Sequence, residues 1–246
     1  MIEEFKDKWD ILIAKGEKQT LLQASQHWVD IYHKSIKKYN RFAVALSGGT
    51  TPKMLYRTLT SSPFKEMVDW RKICLFWSDE RNVIPSHPDS NYHMAMNSGF
   101  EKMPIPHNQI FRMPAETCSS KSAKEYEELI KKHLKDKLFD LVMLGLGEDG
   151  HIASLFPESS ALEEKQKLVT IDFIKQTNSI RMTLTYPCIE NSQNVVIYAW
   201  GEKKEKIIQK IFCEKQDVPA SRLFCKNSKI TWLLDNLSSK SILNAS

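Results

Sequence analysis

The sequence has no long hydrophobic run and no paired cysteines. No stretch of its 246 residues approaches the roughly 20 apolar residues needed to cross a bilayer. Residues 1–18 mix charged side chains with Trp9 and lack the apolar segment of a secretory signal. The five cysteines are widely spaced without a C-x-x-C pair, which indicates free thiols in a reducing compartment. We therefore expect a cytoplasmic protein that does not associate with membranes.

Charge of one sign is not concentrated anywhere in the chain either. Lys and Arg number 35 against 30 Asp and Glu, which gives a net charge of +5. No run of basic residues alternates with aromatic ones, as the groove of a nucleic-acid-binding protein requires. The balance mildly favours small anionic ligands, although a solvated basic surface gives the same numbers. We expect no nucleic-acid partner, and the lack of an evident apolar surface element favours a monomer.

Short apolar runs alternate with helical patterns and with loops that contain glycine. The predicted strands span residues 42–46, 73–77, 139–144, 168–171, 180–185, 195–200 and 230–234. The predicted helices span residues 21–36, 52–59, 91–96, 122–137 and 203–212. Such alternation is typical of parallel βαβ units with helices on both faces.

No linker, repeat or low-complexity segment divides the chain. The sequence therefore predicts a single α/β domain over residues 1–246, with a mainly parallel, Rossmann-like β-sheet flanked by helices. In open sheets of this kind, ligands bind beyond the carboxyl ends of the strands. Three polar loops, which begin at residues 47, 78 and 145, are expected to meet there.

The first of these loops is Ser47-Gly48-Gly49-Thr50-Thr51, followed by a helix that Pro52 is expected to begin as its first residue. Paired glycines let backbone N–H groups approach an anion closely, hydroxyls add donors, and the helix presents its positive end. This composition suits a phosphate group. The loop lacks the G-x-x-x-x-G-K-[ST] pattern of a Walker loop, and by itself it is equally consistent with an ordinary strand–helix turn.

The second loop, residues 78–81, follows a predicted strand. Arg81 could hold two phosphate oxygens with its guanidinium fork. Asp79 and Glu80 would repel a phosphate unless they point elsewhere, so an internally paired or solvated cluster is the alternative. Asn91, a few residues later, either binds sugar hydroxyls or caps the short helix that begins there.

The third loop matches a dinucleotide-binding fingerprint. Residues 145–150 read G-x-G-x-x-G after a predicted strand, and Asp172 lies near the position of the acid that contacts a ribose. Two features argue against a dehydrogenase: Glu148 and Asp149 would lie inside the pyrophosphate cradle, and Pro157 leaves little more than one helical turn after the loop.

The other interpretation of this loop is an acid–base site. The glycines would bend the chain so that Asp149 and His151 both reach the cleft, where the imidazole transfers a proton and the carboxylate orients it. No G-x-S-x-G elbow or H-E-x-x-H motif occurs, and the other histidines lack the spacing of metal ligands. We therefore expect attack by water with a histidine base and without a metal.

Five segments occur in a characteristic order: residues 45–52, 78–81 with 89–91, 145–157, 181–185 and 219–221. Together they resemble the 6-phosphogluconolactonase family, from about residue 41 to the end of the chain. The resemblance implies the α/β fold shared by these lactonases and the related deaminases. It also implies hydrolysis of 6-phospho-D-glucono-1,5-lactone to 6-phospho-D-gluconate in the pentose phosphate pathway, without a cofactor.

The resemblance also implies the catalytic residues. His151 would take a proton from water, which attacks the lactone carbonyl, and could return it to the departing ring oxygen. Asp149 would orient or tune His151.

Further residues would bind the substrate by the same resemblance. Arg81 and the loop of Ser47, Gly48, Gly49 and Thr50 would hold the 6-phosphate, and Asn91 and Arg181 would position the sugar or shape the site. Lys175 begins the stretch that corresponds to a Lys-Pro-Pro element of many family members, and it is the expected additional phosphate ligand.

Two alternatives remain open. Ile152 stands where Thr is common in the lactonases and where glucosamine-6-phosphate deaminases have Ile. The deaminase pattern continues Phe-Asn-Glu-Pro, with a carboxylate five residues after the histidine, and this chain has Phe156 there. Glu158 lies beyond Pro157, which redirects the chain, so lactone hydrolysis is favoured over deamination. A non-catalytic phosphosugar sensor is the other alternative, and the retained Asp-Gly-His argues against it.

Overall fold

A parallel sheet occupies the centre of the protein, for which a computed structural model describes residues 7–135, 139–225 and 228–244. In chain order the strands are β1 (Trp9–Ala14), β2 (Phe42–Leu46), β3 (Ile73–Trp77), β4 (Asp79–Arg81), β5 (Leu141–Gly145), β6 (Val169–Ile174), β7 (Ser179–Leu184), β8 (Val195–Ala199) and β9 (Ile230–Asp235). Six of them form the parallel sheet in the order β1-β9-β8-β5-β2-β3. The remaining three form an antiparallel sheet in the order β4-β7-β6. The predicted α/β fold with a mainly parallel sheet is confirmed.

The strands are connected and covered by helices. These are α1 (Gly16–Tyr39), α2 (Thr50–Leu59), α3 (Asn91–Asn97), α4 (Ser120–Leu134), α5 (Tyr186–Glu190), α6 (Glu205–Phe212), α7 (Pro219–Arg222) and α8 (Lys240–Asn244). The predicted apolar face of α1 packs on the sheet, where the Trp28 ring lies 5.0 Å from that of Phe42. Leu22, which was predicted on that face, is 46% exposed instead. Within the described ranges, no helix combines the length and apolarity needed to span a membrane.

The predicted starts of α2 and α4 are wrong. Pro52 is the third residue of α2, because the helix begins at Thr50 and the first-turn N–H groups need no helical partner. α4 begins at Ser120, before the predicted Ser122, because Ser119 and Ser122 form a capping box. The predicted end of this helix falls on residues 136–137, which lie outside the described residues.

The prediction also missed two strands. β1 is an edge strand that, among the described strands, pairs with β9 alone, and its middle residues are incompletely buried, so its pattern is weak. Residues 79–81 were predicted as a loop but form β4, paired antiparallel with β7. The charged sequence of β4 conceals a strand because its partner is far along the chain.

The carboxyl ends of β2, β3 and β5 bring the three polar loops together as predicted. Leu46 and Trp77 are in register at the ends of β2 and β3, and Ser78 N–H donates to the Leu46 carbonyl at 2.7 Å. Gly145 N–H, at the end of β5, donates to Ser47 Oγ at 3.2 Å. The fold therefore places all three loops at one edge of the parallel sheet.

Candidate active site

The loop after β5 folds back so that Asp149 lies beside His151. Asp149 Oδ1 is 2.6 Å from His151 Nδ1 and also accepts a hydrogen bond from His151 N–H at 3.1 Å. A bond from Nδ1–H to the carboxylate leaves Nε2 as the basic nitrogen of a neutral imidazole. The imidazole is part-exposed, so Nε2 is suited to exchanging a proton with a molecule in the cleft.

Two glycines make this arrangement possible. A Cβ at Gly147 would lie 2.1 Å from His151 Nδ1 and 2.5 Å from Asp149 Oδ1, so no other residue fits beneath the pair. Gly150 has a φ of 84° and packs against Val218, whose Cβ would lie 2.6 Å from an added Cβ. These glycines of the fingerprint therefore serve the Asp–His geometry.

The Asp149 carboxylate is ionised at neutral pH. Its burial is the largest single influence and opposes ionisation, but the hydrogen bonds and the charge of His151 outweigh it, so the pKa of Asp149 falls below its usual 3.8. The side chain is still 38% exposed, and water therefore screens part of this interaction. The carboxylate can hold the imidazole and stabilise its protonated form.

Two arginines lie next to each other on the antiparallel sheet. Arg81 of β4 and Arg181 of β7 are directly opposite in register, so their side chains leave the same face. Arg81 Nη1 donates to the Asp89 carbonyl at 2.5 Å, while its buried Nε has no hydrogen-bond partner among the described residues. Arg181 Nε donates to Ser179 Oγ at 3.0 Å. Across the described parts of the chain, neither guanidinium forms a salt bridge with a carboxylate.

The electrostatics of this pair favour an anion. Burial lowers the pKa of Arg181, the charge of Asp79 opposes that effect, and the neighbouring charge of Arg81 adds to it. Two adjacent cations in a partly buried position repel each other. A bound phosphate would relieve this repulsion and accept hydrogen bonds from both forks.

Asp79 and Glu80 are buried and bonded to other groups, and in the described part of the chain neither forms a salt bridge with Arg81 or Arg181. Glu80 accepts hydrogen bonds from the N–H groups of Asn91 at 2.7 Å and Tyr92 at 2.8 Å, at the start of α3. Burial raises the pKa of Glu80, and these backbone bonds only partly offset the effect. Asp79 accepts from the Asn91 amide at 3.1 Å and from Ser154 Oγ at 2.6 Å. The predicted alternative of carboxylates paired with Arg81 is not what the structure shows.

Asn91 connects the second loop to the first. Its amide nitrogen donates to the Asp79 carbonyl at 2.9 Å, and its Oδ1 would lie 2.0 Å from a Cβ at Gly48. The cap of α3 is Ser90, whose Oγ accepts from His93 N–H at 3.1 Å, so of the two alternatives for Asn91 the capping one is wrong. These contacts fit a side chain that shapes the site.

Tyr56 fixes the start of the first loop, and the N–H groups of the rest of the loop are available to a ligand. Tyr56 Oη accepts from Ser47 N–H and donates to the Ser47 carbonyl, each at 2.8 Å. The N–H groups of Gly48, Gly49 and Thr50 have no acceptor among the described residues, and the last of these begins α2. These donors at a helix start can bind an anion.

The dinucleotide alternative lacks the helix that its fingerprint requires. After Gly150 the chain forms a tight turn, closed by a bridge between Ile152 and Leu155, and the next helical residues are the 3₁₀ turn Ser160–Glu163. Asp172, the candidate ribose ligand, instead accepts from Ser159 Oγ at 2.5 Å. The pyrophosphate of a dinucleotide would have no helix start to bind.

Comparison with known proteins decides the family. The sequence model described as glucosamine-6-phosphate isomerases/6-phosphogluconolactonase matches residues 15–232. The chain belongs to this family. It is 39% identical over 234 residues to a 6-phosphogluconolactonase of Chlamydia pneumoniae, an alignment that covers 94% of this chain and 89% of the relative. The predicted family resemblance is therefore confirmed.

Solved structures of the family share the fold. A 6-phosphogluconolactonase from Trypanosoma cruzi superimposes with a TM-score of 0.85 at 30% identity, covering 96% of this chain and 97% of that structure. A monomeric glucosamine-6-phosphate deaminase gives a TM-score of 0.78 at 21% identity, over 94% of this chain and 99% of its own. At that identity the likeness shows the fold alone.

Two residues of the site in this family member were missed by the sequence analysis. Ser154 N–H donates to Thr183 Oγ1 at 3.2 Å, and with its hydroxyl on Asp79 it connects the His151 loop to the arginine sheet. Only folding brings these partners together, so no local pattern reveals them.

Lys204 is the second missed residue. Its Nζ donates to the Leu146 carbonyl at 2.5 Å, within the loop that carries the Asp–His pair. Burial lowers the pKa of Lys204, and the charges of Glu148 and Asp149 oppose that effect. Its sequence signal is lost among the neighbouring lysines at the start of a predicted helix.

Lys175 is not brought together with the other candidate residues. It is exposed in the 3₁₀ turn Lys175–Thr177, at the tip of the hairpin between β6 and β7. In the described part of the chain, it has no hydrogen bond or ion pair with another candidate site residue. Its part in phosphate binding remains a prediction.

Proposed function

We propose that this protein hydrolyses 6-phospho-D-glucono-1,5-lactone to 6-phospho-D-gluconate, in the pentose phosphate pathway. The observation that carries the proposal is the 2.6 Å contact between Asp149 and His151, in a loop that Ser154 joins to the strands of Arg81 and Arg181. An acid–base pair beside a phosphate-binding surface matches a phosphorylated lactone. The names of the relatives support the same reaction.

Hydrolysis begins at His151 in this mechanism. Nε2 takes a proton from water as the water oxygen attacks the lactone carbonyl, which becomes a tetrahedral oxyanion. When the carbonyl re-forms, the bond to the ring oxygen breaks and that oxygen receives the proton from Nε2. Asp149 keeps Nδ1 protonated and stabilises the imidazolium between the two steps. The products are the open-chain acid and the regenerated imidazole.

The 6-phosphate binds away from the reacting carbonyl. Arg81 and Arg181 supply the charged donors, and the N–H groups of Gly48, Gly49 and Thr50 supply the backbone donors. Ser47 and Asn91 hold the loops in place, and Lys175 adds a long-range positive charge. Binding a remote group in this way positions the lactone at His151 before and during the reaction.

The molecule acts in the cytoplasm as a monomer, in this proposal, without a metal, cofactor or nucleic acid. The phosphosugar lactone is its small-molecule partner. A ring ester opens readily, so acid–base and electrostatic assistance are chemically sufficient.

The direct test is turnover. The lactone is generated freshly from glucose 6-phosphate by a dehydrogenase, and acid release is followed with and without the protein. We expect release well above the spontaneous rate. A rate that stays at the spontaneous value while the protein still binds 6-phosphogluconate would favour the non-catalytic sensor.

Deamination is disfavoured by the residue at position 156. The Phe156 ring lies where a deaminase would need a carboxylate, stacked on His151 with centroids 3.9 Å apart. Glu158 is exposed, with a φ of 64°, on the far side of Pro157. We expect no significant ammonia release from glucosamine 6-phosphate. Ammonia production at a rate comparable with lactone opening would reverse the assignment.

A further inference from the structure

Phe156 lies flat against the imidazole of His151. The two rings are 3.9 Å apart between centroids and only 19° from parallel. Phe156 is 4% exposed, whereas the His151 side chain is 29% exposed, so a buried ring covers one face of an imidazole that still reaches solvent. Phe156 therefore supports the His151 imidazole on one of its faces.

A single hydrogen bond does not fix the plane of an imidazole. Asp149 holds Nδ1, but the terminal torsion of histidine is broad, so one hydrogen bond to a ring nitrogen leaves the ring plane able to tilt. A tilt changes the direction of the Nε2 lone pair, which must point at the water that it deprotonates. A flat, buried surface against one face of the ring removes this freedom.

A tight turn between the two residues returns the chain so that Phe156 lies against His151. Ala153 has a φ of 47°, in the left-handed region that a residue with a Cβ rarely adopts. Leu155 N–H donates to the Ile152 carbonyl at 2.9 Å, which closes the turn. Ser154 is tied to Asp79 at 2.6 Å. A strained turn that persists because several contacts hold it indicates a functional constraint.

We propose that Phe156 is a positioning residue for the reaction, which fixes the plane of the His151 ring so that Nε2 faces the attacking water. This inference rests on the proposed lactonase function. Phe156 is buried against the imidazole, so it acts through His151 and not on the substrate directly. A ring that serves only to fill the core would affect stability and leave the turnover of folded protein unchanged.

The test compares Phe156→Leu with Phe156→Tyr in the full chain. Leucine keeps the apolar volume but lacks a flat face, so we expect kcat to fall about tenfold or more with KM changed less than about twofold. Tyrosine keeps the ring and should restore most of kcat. Each rate is divided by the concentration of folded protein, and circular dichroism gives the folded fraction.

Phe139→Leu is the matched control. Phe139 is buried like Phe156. It lies before the start of β5, at the opposite edge of the sheet from His151, and its ring packs on that of Phe76 with centroids 5.2 Å apart. This variant should lose stability and keep the kcat of wild type. A Phe156→Leu variant that also keeps the kcat of wild type would overturn the proposal.

A measurement on the unsubstituted protein covers the case in which Phe156→Leu does not fold. The carbon-bound ring protons of His151, assigned by their loss in His151→Gln, should resonate upfield of those of other histidines because they lie over an aromatic ring. Unshifted resonances would contradict the stacked geometry. A wild-type protein that does not raise the rate of lactone hydrolysis would instead refute the proposed function, and activity that survives in His151→Gln would refute the role of His151 as the base, whatever the Phe156 variants do.

Discussion

At the scale of single residues, the site separates the group that reacts from the groups that hold it. His151 presents Nε2, while Asp149 and Phe156 contact the same ring at its edge and its face. The sequence pattern identified Asp149 and His151 because an Asp-Gly-His at a strand end suggests a proton-transfer pair. It could not reveal that Phe156 returns to the imidazole, because that depends on the shape of a short turn.

Replacement of Asp149 by Asn tests the charge of the pair. The folded-state pKa of Asp149 is lowered, so its ionised form contributes stability above the usual pKa of 3.8, and that stability is lost as pH falls through the lower folded value. We expect Asp149→Asn to cost more stability at pH 6 than at pH 2.5, by urea unfolding. Its kcat should fall on the order of a hundredfold. An equal loss of stability at both pH values would show that the charge of Asp149 does not contribute to the free energy of unfolding.

Replacement of Arg81 by Ala tests the remote binding site. A phosphate distant from the carbonyl is held similarly in the ground and transition states, so Arg81→Ala should raise KM about tenfold or more with kcat nearly unchanged. Arg71→Ala, which removes an exposed arginine paired with Asp69, is the control and should leave KM unchanged. A loss confined to kcat would contradict the assigned role.

At the scale of elements, the predicted parts are those with a strong local pattern. The central strands read as continuous apolar runs because both faces are buried, and β2, β5 and β8 were predicted close to their observed bounds. β4 was predicted as a loop, since three polar residues form a strand only when β7 pairs with them. Local reasoning thus predicted β6 and β7 as strands, but it could not reveal that β4 joins them and places Arg81 opposite Arg181.

Ser154 connects those elements. Its hydroxyl donates to Asp79 and its N–H to Thr183, so it joins the catalytic loop to β4 and β7. Ser154→Ala leaves a buried carboxylate oxygen without this donor, which should cost about 1–3 kcal/mol of unfolding free energy. We also expect kcat to fall, because the loop loses its anchor. Unchanged stability in a denaturant titration would mean that Asp79 finds another donor.

At the scale of the whole molecule, the site forms where loops that follow different parallel strands meet. The loops after β2, β3 and β5 come from separate parts of the sequence and meet because parallel strands end at a common edge. The sequence predicted this meeting place correctly. The contacts among the loops could not be predicted, because each depends on side chains that only the complete fold brings within hydrogen-bonding distance.

Chelation tests whether that assembled site works with protein groups alone. Among the described residues, no group of three or more His, Cys, Asp or Glu side chains is arranged to hold a metal ion. We expect lactone hydrolysis to survive prolonged dialysis against EDTA. Loss of activity that one added metal restores would show that a metal takes part.

The most direct test of the central claim is the rate of lactone hydrolysis by His151→Gln. The variant keeps a polar side chain of similar size, so we expect the fold and KM to be nearly unchanged. Without the base, kcat should fall on the order of a hundredfold or more below that of the wild-type protein measured side by side. Wild-type kcat in a correctly folded His151→Gln protein would contradict water activation by this histidine.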